Sequence, residues 1–258
     1  MRRVHIVGCP RSGTTLLMEM LATCFSSDGY CAHEMSIFEP PPASTPEQGL
    51  YFSKQPNDIK QLRWILPRDE QLYVIYLGRD PRAVICSRHR SLPDAYFCNY
   101  RVWHECDTAA QRYANNPRFL RLRYEDLVAR PDAVQRDILA ALPFLEQQHR
   151  FSEYHIYSQS SAASEQAMHG LRAANTERVA AWHQHLPRLV EQVQRYPQMA
   201  ADLIRLGYET DESWLEQLQG IEPILYACRY PERRPWLREC EKSVRVWFKS
   251  RRYLKNLV

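Results

Sequence analysis

A short loop near the start of the chain has the composition of a phosphate-binding site. The run GCPRSGTTLL, from Gly8 to Leu17, directly follows the apolar segment 4–7. Backbone N–H groups of such a turn, together with the N-terminus of the helix after it, form a site for an anion. The phosphate loop of a nucleotide hydrolase would carry lysine at position 14, but this chain has Thr14 there and Arg11 inside the loop. Since a guanidinium suits phosphate and sulfate oxygens, the loop is predicted to hold a phosphate without being built to cleave a γ-phosphate.

A second candidate anion site follows the strand predicted at Tyr73–Leu77. Gly78 lies at the turn, Arg79 comes next, and Pro81 suits the first turn of a helix. On that helix Ser87 would lie about two turns beyond Arg79 and face the same crevice. Because parallel strands place ligands at their carboxyl ends, Arg79 and the first loop are predicted to open onto one cleft. Two separated anion sites indicate a nucleotide with phosphates at both ends of its ribose.

The elements that must position these loops form a predicted parallel sheet. Short apolar runs bounded by turn residues predict strands at Val4–Gly8, Tyr30–Ala32, Leu50–Ser53, Tyr73–Leu77 and Phe119–Leu122. Helical patterns lie between and after them, at 14–25, Asp132–Leu142, Thr176–Leu186 and Pro197–Leu206. This alternation predicts an α/β fold with three layers, αβα, around a central parallel sheet, of the P-loop-containing nucleotide-binding type.

Two segments between these elements have the composition of loops. The proline-rich run FEPPPASTP, Phe38–Pro46, excludes a helix or an inner strand and predicts a loop at one edge of a pocket. The serine-rich segment Ser158–Ser164 indicates a mobile connector.

Composition limits where the protein acts and what it binds. No stretch approaches the roughly 18 apolar residues of a membrane span, and the first apolar run is too short for a secretory leader, so a cytoplasmic protein is expected. The eight cysteines are scattered without metal-ligand spacing, which predicts reduced thiols and no metal site. No nucleic-acid partner is expected, and the sequence leaves the oligomeric state open.

The basic charge is concentrated in the last part of the chain. From Arg229 to Val258, ten Lys and Arg residues accompany three Glu residues. Apolar residues recur there at helical spacing, namely Val244, Trp247, Phe248, Leu254 and Leu257. A helical tail over 229–258 is predicted, and two roles stay open for it. In the first, the tail would dock on an anionic membrane surface or an acidic polysaccharide. In the second, it would pack its apolar side on the body and leave the charges in water.

The two loops resemble motifs of a known enzyme family. PRSGTTLL and GRDPRAVICS look like the 5′-phosphosulfate loop and the 3′-phosphate motif of sulfotransferases that use 3′-phosphoadenosine 5′-phosphosulfate (PAPS). Similarity continues in RYEDLVARP, ERVAAWHQHL and DLIRLGYE, so that it covers roughly Val4 to Glu209. The resemblance implies a sulfotransferase domain over 1–228 that moves a sulfonyl group from PAPS to a hydroxyl of a carbohydrate, a tyrosyl side chain or a small molecule. It also implies that PAP, 3′-phosphoadenosine 5′-phosphate, is released and that no metal takes part.

The resemblance also implies roles for individual residues. The 5′ end of the nucleotide would be held by Arg11, Ser12, Gly13, Thr14 and Thr15, the 3′-phosphate by Arg79 and Ser87, and the adenine would lie near Tyr124.

Catalytic residues follow from a resemblance to one branch of the family. GTTLLMEML followed by CAHE is most similar to the protein-tyrosine and carbohydrate sulfotransferases, where Glu34 corresponds to the general base. Its rivals are His33 and Glu39. The resemblance implies that Lys54, in FSKQP, neutralises charge on the bridging oxygen as PAP departs, and that Arg11 is also catalytic. Without the resemblance, Lys54 would be expected to be a solvated surface amine.

Two other functions stay open from the sequence. A phosphotransferase using ATP would share the loop, although Thr14 replaces the lysine that such an enzyme needs. A non-catalytic nucleotide-binding module would keep the loop without turnover.

Overall fold

The computed structural model describes residues 1–89, 92–168, 170–233 and 236–256. In these ranges the strands are Arg2–Gly8 (β1), Gly29–Tyr30 (β2), Leu50–Lys54 (β3), Leu72–Gly78 (β4), Arg88–His89 (β5), Leu92–Tyr96 (β6) and Phe119–Arg123 (β7). Five of them form one parallel sheet in the order β2-β3-β1-β4-β7, while β5 and β6 form a separate antiparallel pair. The parallel sheet contains the five strands that the sequence predicts.

The helices surround this sheet. They are Thr14–Cys24 (α1), Pro81–Ile85 (α2), Tyr100–Gln111 (α3), Tyr124–Ala129 (α4), Pro131–Ala141 (α5), Tyr154–Tyr157 (α6), Ala162–Met168 (α7), Leu186–Arg195 (α8), Met199–Arg205 (α9) and Trp236–Lys255 (α10). Shorter 3₁₀ segments lie at Pro56–Trp64, Phe151–Glu153, Ala181–His185 and Ser213–Leu218.

The core lies on both faces of the parallel sheet. Successive side chains of a strand point to opposite faces, so Val4 and Ile6 of β1 pack with α1, α4 and α5, whereas Val7 packs with α3, α8 and α9. In β4, Ile75 and Leu77 belong to the first cluster and Val74 and Tyr76 to the second. Helices therefore cover both faces, and the predicted three-layer αβα fold is confirmed. Its carboxyl edge brings together the ends of β1, β3, β4 and β7.

Two helix predictions are wrong in their extent. In place of the predicted helix Thr176–Leu186 there is only the short 3₁₀ segment Ala181–His185, and α8 begins at Leu186 with Pro187 in its first turn. A proline ring removes a donor and clashes with the carbonyl four residues earlier, so a helix cannot run through that position. The helix after Arg79 is also shorter than predicted. It ends at Ile85, and Ser87 leads into the β5–β6 pair, where its carbonyl accepts from the backbone of Phe97 at 3.2 Å.

The two predicted loop segments have different outcomes. Residues 38–46 contain neither helix nor strand, as predicted, but none of them lines the main cleft. Phe38 packs near α10 instead, with its ring 6.4 Å from that of Tyr253. The serine-rich segment is partly helical, because α7 begins at Ala162. The hydroxyl of Ser161 donates to the carbonyl of Ala32 at 3.0 Å.

Across the ranges that the structure describes, no helix has both the length and the apolar character that a membrane crossing requires.

Candidate active site

The loop after β1 is compact enough to require glycine at two positions. A Cβ atom at Gly8 would lie 2.6 Å from Ser12 Oγ and 2.7 Å from the carbonyl oxygen of Leu77. Gly13 has a φ of 96°, and a Cβ there would lie 2.5 Å from the ring of Tyr124. The backbone of the loop therefore runs between β4 and the Tyr124 ring, and α1 begins immediately after it at Thr14.

Arg11 and Ser12 occupy unusual environments in this loop. Arg11 has a φ of 75°, a conformation that costs a non-glycine residue about 1–3 kcal/mol and that concentrates at functional sites. Its Nε donates to Ser87 Oγ at 3.0 Å, and its Nη2 donates to the carbonyl of Arg88 at 3.2 Å. Ser12 is fully buried, and among the described residues its hydroxyl has no hydrogen-bond partner. The loop thus contains a polar atom that the protein itself does not satisfy.

Arg79 connects this loop to the opposite side of the site. The residue is only 8% exposed. Nη1 donates to the carbonyl of Arg11 at 3.0 Å, Nη2 donates to the carbonyl of Arg178 at 2.8 Å, and the guanidinium lies 4.1 Å from the centre of the Tyr124 ring. Trp103 Nε1 holds the carbonyl of Arg79 at 2.9 Å. The guanidinium therefore points toward the first loop, and its Nε is buried without a partner among the described residues.

Lys54 reaches the same loop from the end of β3. Its side chain is 2% exposed, and its Nζ donates to Thr15 Oγ1 at 3.0 Å. Burial lowers the pKa of Lys54, and the nearby carboxylate of Glu34 raises it by a smaller amount. Lys54 is therefore a buried cation beside α1 and not a solvated surface amine.

The three candidate bases do not share one location. His33 and Glu34 are both exposed and line the cleft bordered by the loop. Glu39 is not among the described residues that line it, and its main-chain carbonyl instead accepts from Arg3 at 2.8 Å. The geometry leaves His33 and Glu34 as candidates.

The cleft itself is a cavity of about 190 Å³. The predicted site residues on its walls are Arg11, Gly13, Thr14, Thr15, Glu34, Lys54, Arg79 and Tyr124. Ser12 and Ser87 are not on the lining: Ser12 is buried beneath the loop, and Ser87 lies behind Arg11 as its hydrogen-bond acceptor.

One wall of the cleft contains two arginines that the sequence reasoning missed. Arg172 and Arg178 lie in the irregular segment between α7 and the 3₁₀ turn Ala181–His185. Burial lowers the pKa of Arg178, and Arg172 lowers it further. Burial also lowers the pKa of Arg11, with Arg79 as the next cause. The one signal in the sequence is the basic spacing of GLRAANTER, which does not by itself show that this segment returns to the loop.

These cations determine what the cleft can bind. Like charges held close together repel each other, and an anion placed among them relieves that repulsion. The hydroxyl of Ser12 and the Nε of Arg79 are further donors, both buried and without a partner among the described residues. An anionic ligand fits this donor set.

The start of α2 is fixed by a second buried network beside Arg79. Asp80 caps the helix by accepting from the backbone of Arg82 at 2.7 Å, and it also pairs with the Arg82 guanidinium. Arg82 pairs further with Glu209 and lies 4.3 Å from the ring of Trp182 and 5.0 Å from that of Trp214. Trp182 is thus a core residue that packs on this network. The network holds the chain on either side of Arg79 in place.

The described residues contain no group of three or more His, Cys, Asp or Glu side chains arranged to hold a metal ion. The seven cysteines whose side chains are described are free thiols, and six of them are buried.

Part of the chain matches a protein-family model. A family model described as "Sulfotransferase family" matches residues 41–144, which include Lys54, Arg79, Ser87 and Tyr124. No curated protein sequence matches the chain.

Solved structures with a related chain path include three sulfotransferases. The sulfotransferase domain of the Synechococcus PCC 7002 olefin synthase is 22% identical, with 71% of this chain and 87% of that chain covered and a TM-score of 0.48. The sulfotransferase domain from the curacin biosynthetic pathway is 18% identical, with coverages of 98% and 96% and a TM-score of 0.46. Mouse sulfotransferase SULT7A1 complexed with PAP is 14% identical, with coverages of 79% and 85% and a TM-score of 0.46. Over residues 41–144, the chain is therefore similar to the sulfotransferase family.

Proposed function

We propose that the protein transfers the sulfonyl group of PAPS to an acceptor hydroxyl and releases PAP. The observation that carries this proposal is the position of Arg79, which hydrogen-bonds the backbone of the first loop and lines the same cleft as Lys54. PAPS carries a phosphosulfate at its 5′ end and a phosphate at its 3′ end, so it presents charge at the two places where the cleft has donors.

The geometry of the two loops supports the proposed binding roles. The 5′ end is held by the backbone N–H groups at the start of α1, with Arg11 and the hydroxyls of Ser12, Thr14 and Thr15 around it. The 3′-phosphate is held by the free Nε of Arg79, together with Ser87 and, in addition to the sequence-based set, Arg178. Tyr124 forms the wall against which the adenine lies.

The proposed chemistry uses three side chains around the acceptor. PAPS supplies an electrophilic sulfur whose bridging oxygen leaves with PAP. Glu34, with His33 as the alternative, takes the proton from the acceptor hydroxyl as its oxygen forms the new bond to sulfur. Lys54 and Arg11 stabilise the negative charge that develops on the bridging oxygen, and the low solvent exposure of Lys54 strengthens that interaction.

Nucleotide binding tests the proposal against its alternatives. Calorimetry should show that PAP binds at least tenfold more tightly than ADP, because Arg79 recognises the 3′-phosphate that ADP lacks. Arg79→Gln should remove most of this preference, and Arg136→Gln, an exposed arginine on α5, should keep it. ADP binding as tightly as PAP would favour an ATP phosphotransferase. PAP binding without PAP release from PAPS, across a panel of hydroxyl acceptors, would indicate a non-catalytic module.

The boundary between a catalytic unit at 1–228 and a basic tail at 229–258 stays a prediction, as does the cytoplasmic location. The structure shows how α10 packs. Tyr253 donates to Asp69 at 2.5 Å and Ser250 is buried, whereas Val244, Trp247 and Phe248 are 54%, 37% and 61% exposed. Leu254 is half-buried, and Leu257 lies outside the described residues. One end of the helix therefore packs on the body, and the three apolar residues form an exposed ridge that also borders a groove between α10 and α3.

We propose that this ridge docks on an anionic membrane surface. Trp247 and Phe248 are in ring contact at 4.8 Å, and Arg251 lies 4.8 Å from the Trp247 ring, so apolar and basic groups are presented together. A membrane interface accommodates both, whereas an acidic polysaccharide needs only the charges. Phe248→Ser should lower binding to phosphatidylserine-containing vesicles severalfold, and Tyr157→Ser, an exposed aromatic on α6, should not. Heparin binding with no vesicle binding would support the polysaccharide instead.

A further inference from the structure

A second cavity adjoins the cleft on the side of the candidate bases. It has a volume of about 530 Å³ and shares Arg11, His33, Glu34 and Phe97 with the cleft. A molecule in this cavity would therefore meet the residues proposed to remove the acceptor proton. The cavity is the natural place for the acceptor, and its assignment to that role rests on the proposed sulfotransferase function.

The walls of this second cavity are mainly polar. Besides the shared residues, the polar lining consists of Gln55, Asn57, Gln166, Arg229 and Tyr230. The other described residues on the lining are prolines and alanines, with no leucine, isoleucine, valine or methionine among them. An aliphatic acceptor would leave the amide groups and the guanidinium without partners, and that is unfavourable. The lining thus selects for an acceptor that itself carries several polar groups.

The chain that carries Arg229 is fixed to the body of the protein. The backbone N–H of Arg229 donates to the carbonyl of Tyr96 at 3.0 Å. In the next residue, the carbonyl of Tyr230 accepts from Asn99 Nδ2 at 2.9 Å, and its hydroxyl accepts from Asn57 Nδ2 at 3.1 Å. Because three hydrogen bonds hold this short segment, the backbone of Arg229 has a defined position on the cavity wall.

The guanidinium of Arg229 lies over an aromatic ring. It lies 4.9 Å from the centre of the Phe97 ring, which lines both cavities. In the described part of the chain Arg229 has no ion pair; the nearby Glu232 is instead bound by Gln192 at 3.1 Å and by the hydroxyl of Tyr196 at 2.9 Å. Stacking on an aromatic ring fixes the plane of the guanidinium while leaving its N–H edge free to bind an oxyanion.

We infer that the second cavity takes a hydroxylated acceptor that carries an anionic group, and that Arg229 binds this group while the reacting hydroxyl lies at Glu34 and His33. The two ends of the acceptor are thereby distinguished by charge: the carboxylate of Glu34 disfavours the anionic end, and Arg229 attracts it. Arg229 is in this sense a specificity-determining residue that does not take part in the chemical step.

Paired sugars that differ in one group test this inference. With PAP at saturation, methyl glucuronide and methyl glucoside are titrated into the protein, and cyclohexanol serves as an apolar hydroxyl compound. A charge-assisted hydrogen bond predicts that the glucuronide binds about tenfold more tightly than the glucoside. Glucose 6-sulfate, used as a third probe, shows whether a sulfate serves as well as a carboxylate. Raised salt should weaken the binding of the charged sugars alone.

Two variants identify the residue responsible. Arg229→Gln should bind glucuronide and glucoside about equally while its PAP affinity is unchanged. Arg136→Gln should keep both the preference for glucuronide and the PAP affinity. Equal binding of the two sugars to the unaltered protein, no measurable binding of any charged sugar, tighter binding of cyclohexanol, or a preference that survives in Arg229→Gln would each overturn the inference. The PAP titration on the same samples is read separately, since failure there would overturn the proposed function itself.

Discussion

Replacement of Gly13 by alanine is the most direct test of how the phosphate loop is built. Two features oppose a side chain at this position. The φ of 96° belongs to the left-handed region, and the added methyl would lie 2.5 Å and 2.7 Å from Cδ2 and Cε2 of Tyr124. The ring cannot simply turn away, because its other neighbour is the guanidinium of Arg79 at 4.1 Å.

The expected loss of stability is the sum of these two effects. The left-handed backbone costs an L-residue about 1–2 kcal/mol. Forcing an extra methyl into a filled space costs about 1–3 kcal/mol more. Gly13→Ala should therefore lower the free energy of unfolding by about 2–5 kcal/mol, and it should weaken PAP binding more than tenfold because the loop backbone must shift.

A second glycine separates the two contributions. Gly220 has a φ of 73°, and a methyl group added there would meet no atom within 4 Å, so Gly220→Ala should show the backbone cost alone. Urea denaturation gives the free energy of unfolding for each variant, and calorimetry gives the affinity for PAP. In a Tyr124→Ala background the cost of Gly13→Ala should fall to that of Gly220→Ala. If Gly13→Ala is no more destabilising than Gly220→Ala in the unaltered protein, the close packing of Tyr124 on the loop is refuted.

Three further predictions concern buried groups near the site. Lys54→Gln should lower kcat about 10²–10³-fold in a sulfonyl-transfer assay, whereas Lys255→Gln should leave kcat unchanged. Burial lowers the pKa of Lys54, so this lysine should lose its proton at a lower pH than an exposed lysine does. The rate of the unaltered enzyme should therefore begin to fall at that lower pH. Trp103→Phe removes the 2.9 Å bond to the carbonyl of Arg79 and should cost about 1 kcal/mol in thermal unfolding, with weaker PAP binding; unchanged affinity would argue against Trp103 as a positioning residue. Burial lowers the pKa of His5, so the unfolded chain binds more protons and stability should fall as the pH drops below about 6.5. A His5→Asn variant whose melting temperature depends on pH as steeply as that of the unaltered protein would contradict this.

Local patterns were enough to predict the sheet and the loops at its edge. β1 and β4 are short apolar runs that end in glycine, and their alternation between two buried faces requires no knowledge of distant residues. The position of Lys54 follows from the same logic, since β3 lies beside β1 and ends at the same edge. What the sequence did not show is that Lys54 would be buried and bound to Thr15.

The remaining parts of the site depend on contacts between distant segments. Arg178 reaches the cleft because its carbonyl accepts a hydrogen bond from Arg79, 99 positions earlier in the chain. The spacing of apolar residues in the sequence does not predict such a distant contact. The helix predicted at 176–186 is replaced by turns. Pro187 lies in the first turn of α8 and disfavours a helix that continues into α8 from the residues before it. Ser87 contacts Arg11 from a strand entry and not from a helix face, since α2 ends at Ile85.

The single guanidinium of Arg79 holds the floor of the cleft through Arg11 and its wall through Arg178. A ligand that binds this guanidinium competes with both carbonyls, so its binding should affect the positions of the first loop and of the segment around Arg178 together. For the proposed enzyme, we therefore expect substitutions in residues 170–178, several of which line the cleft, to change the rate of PAP release more than the rate of sulfonyl transfer.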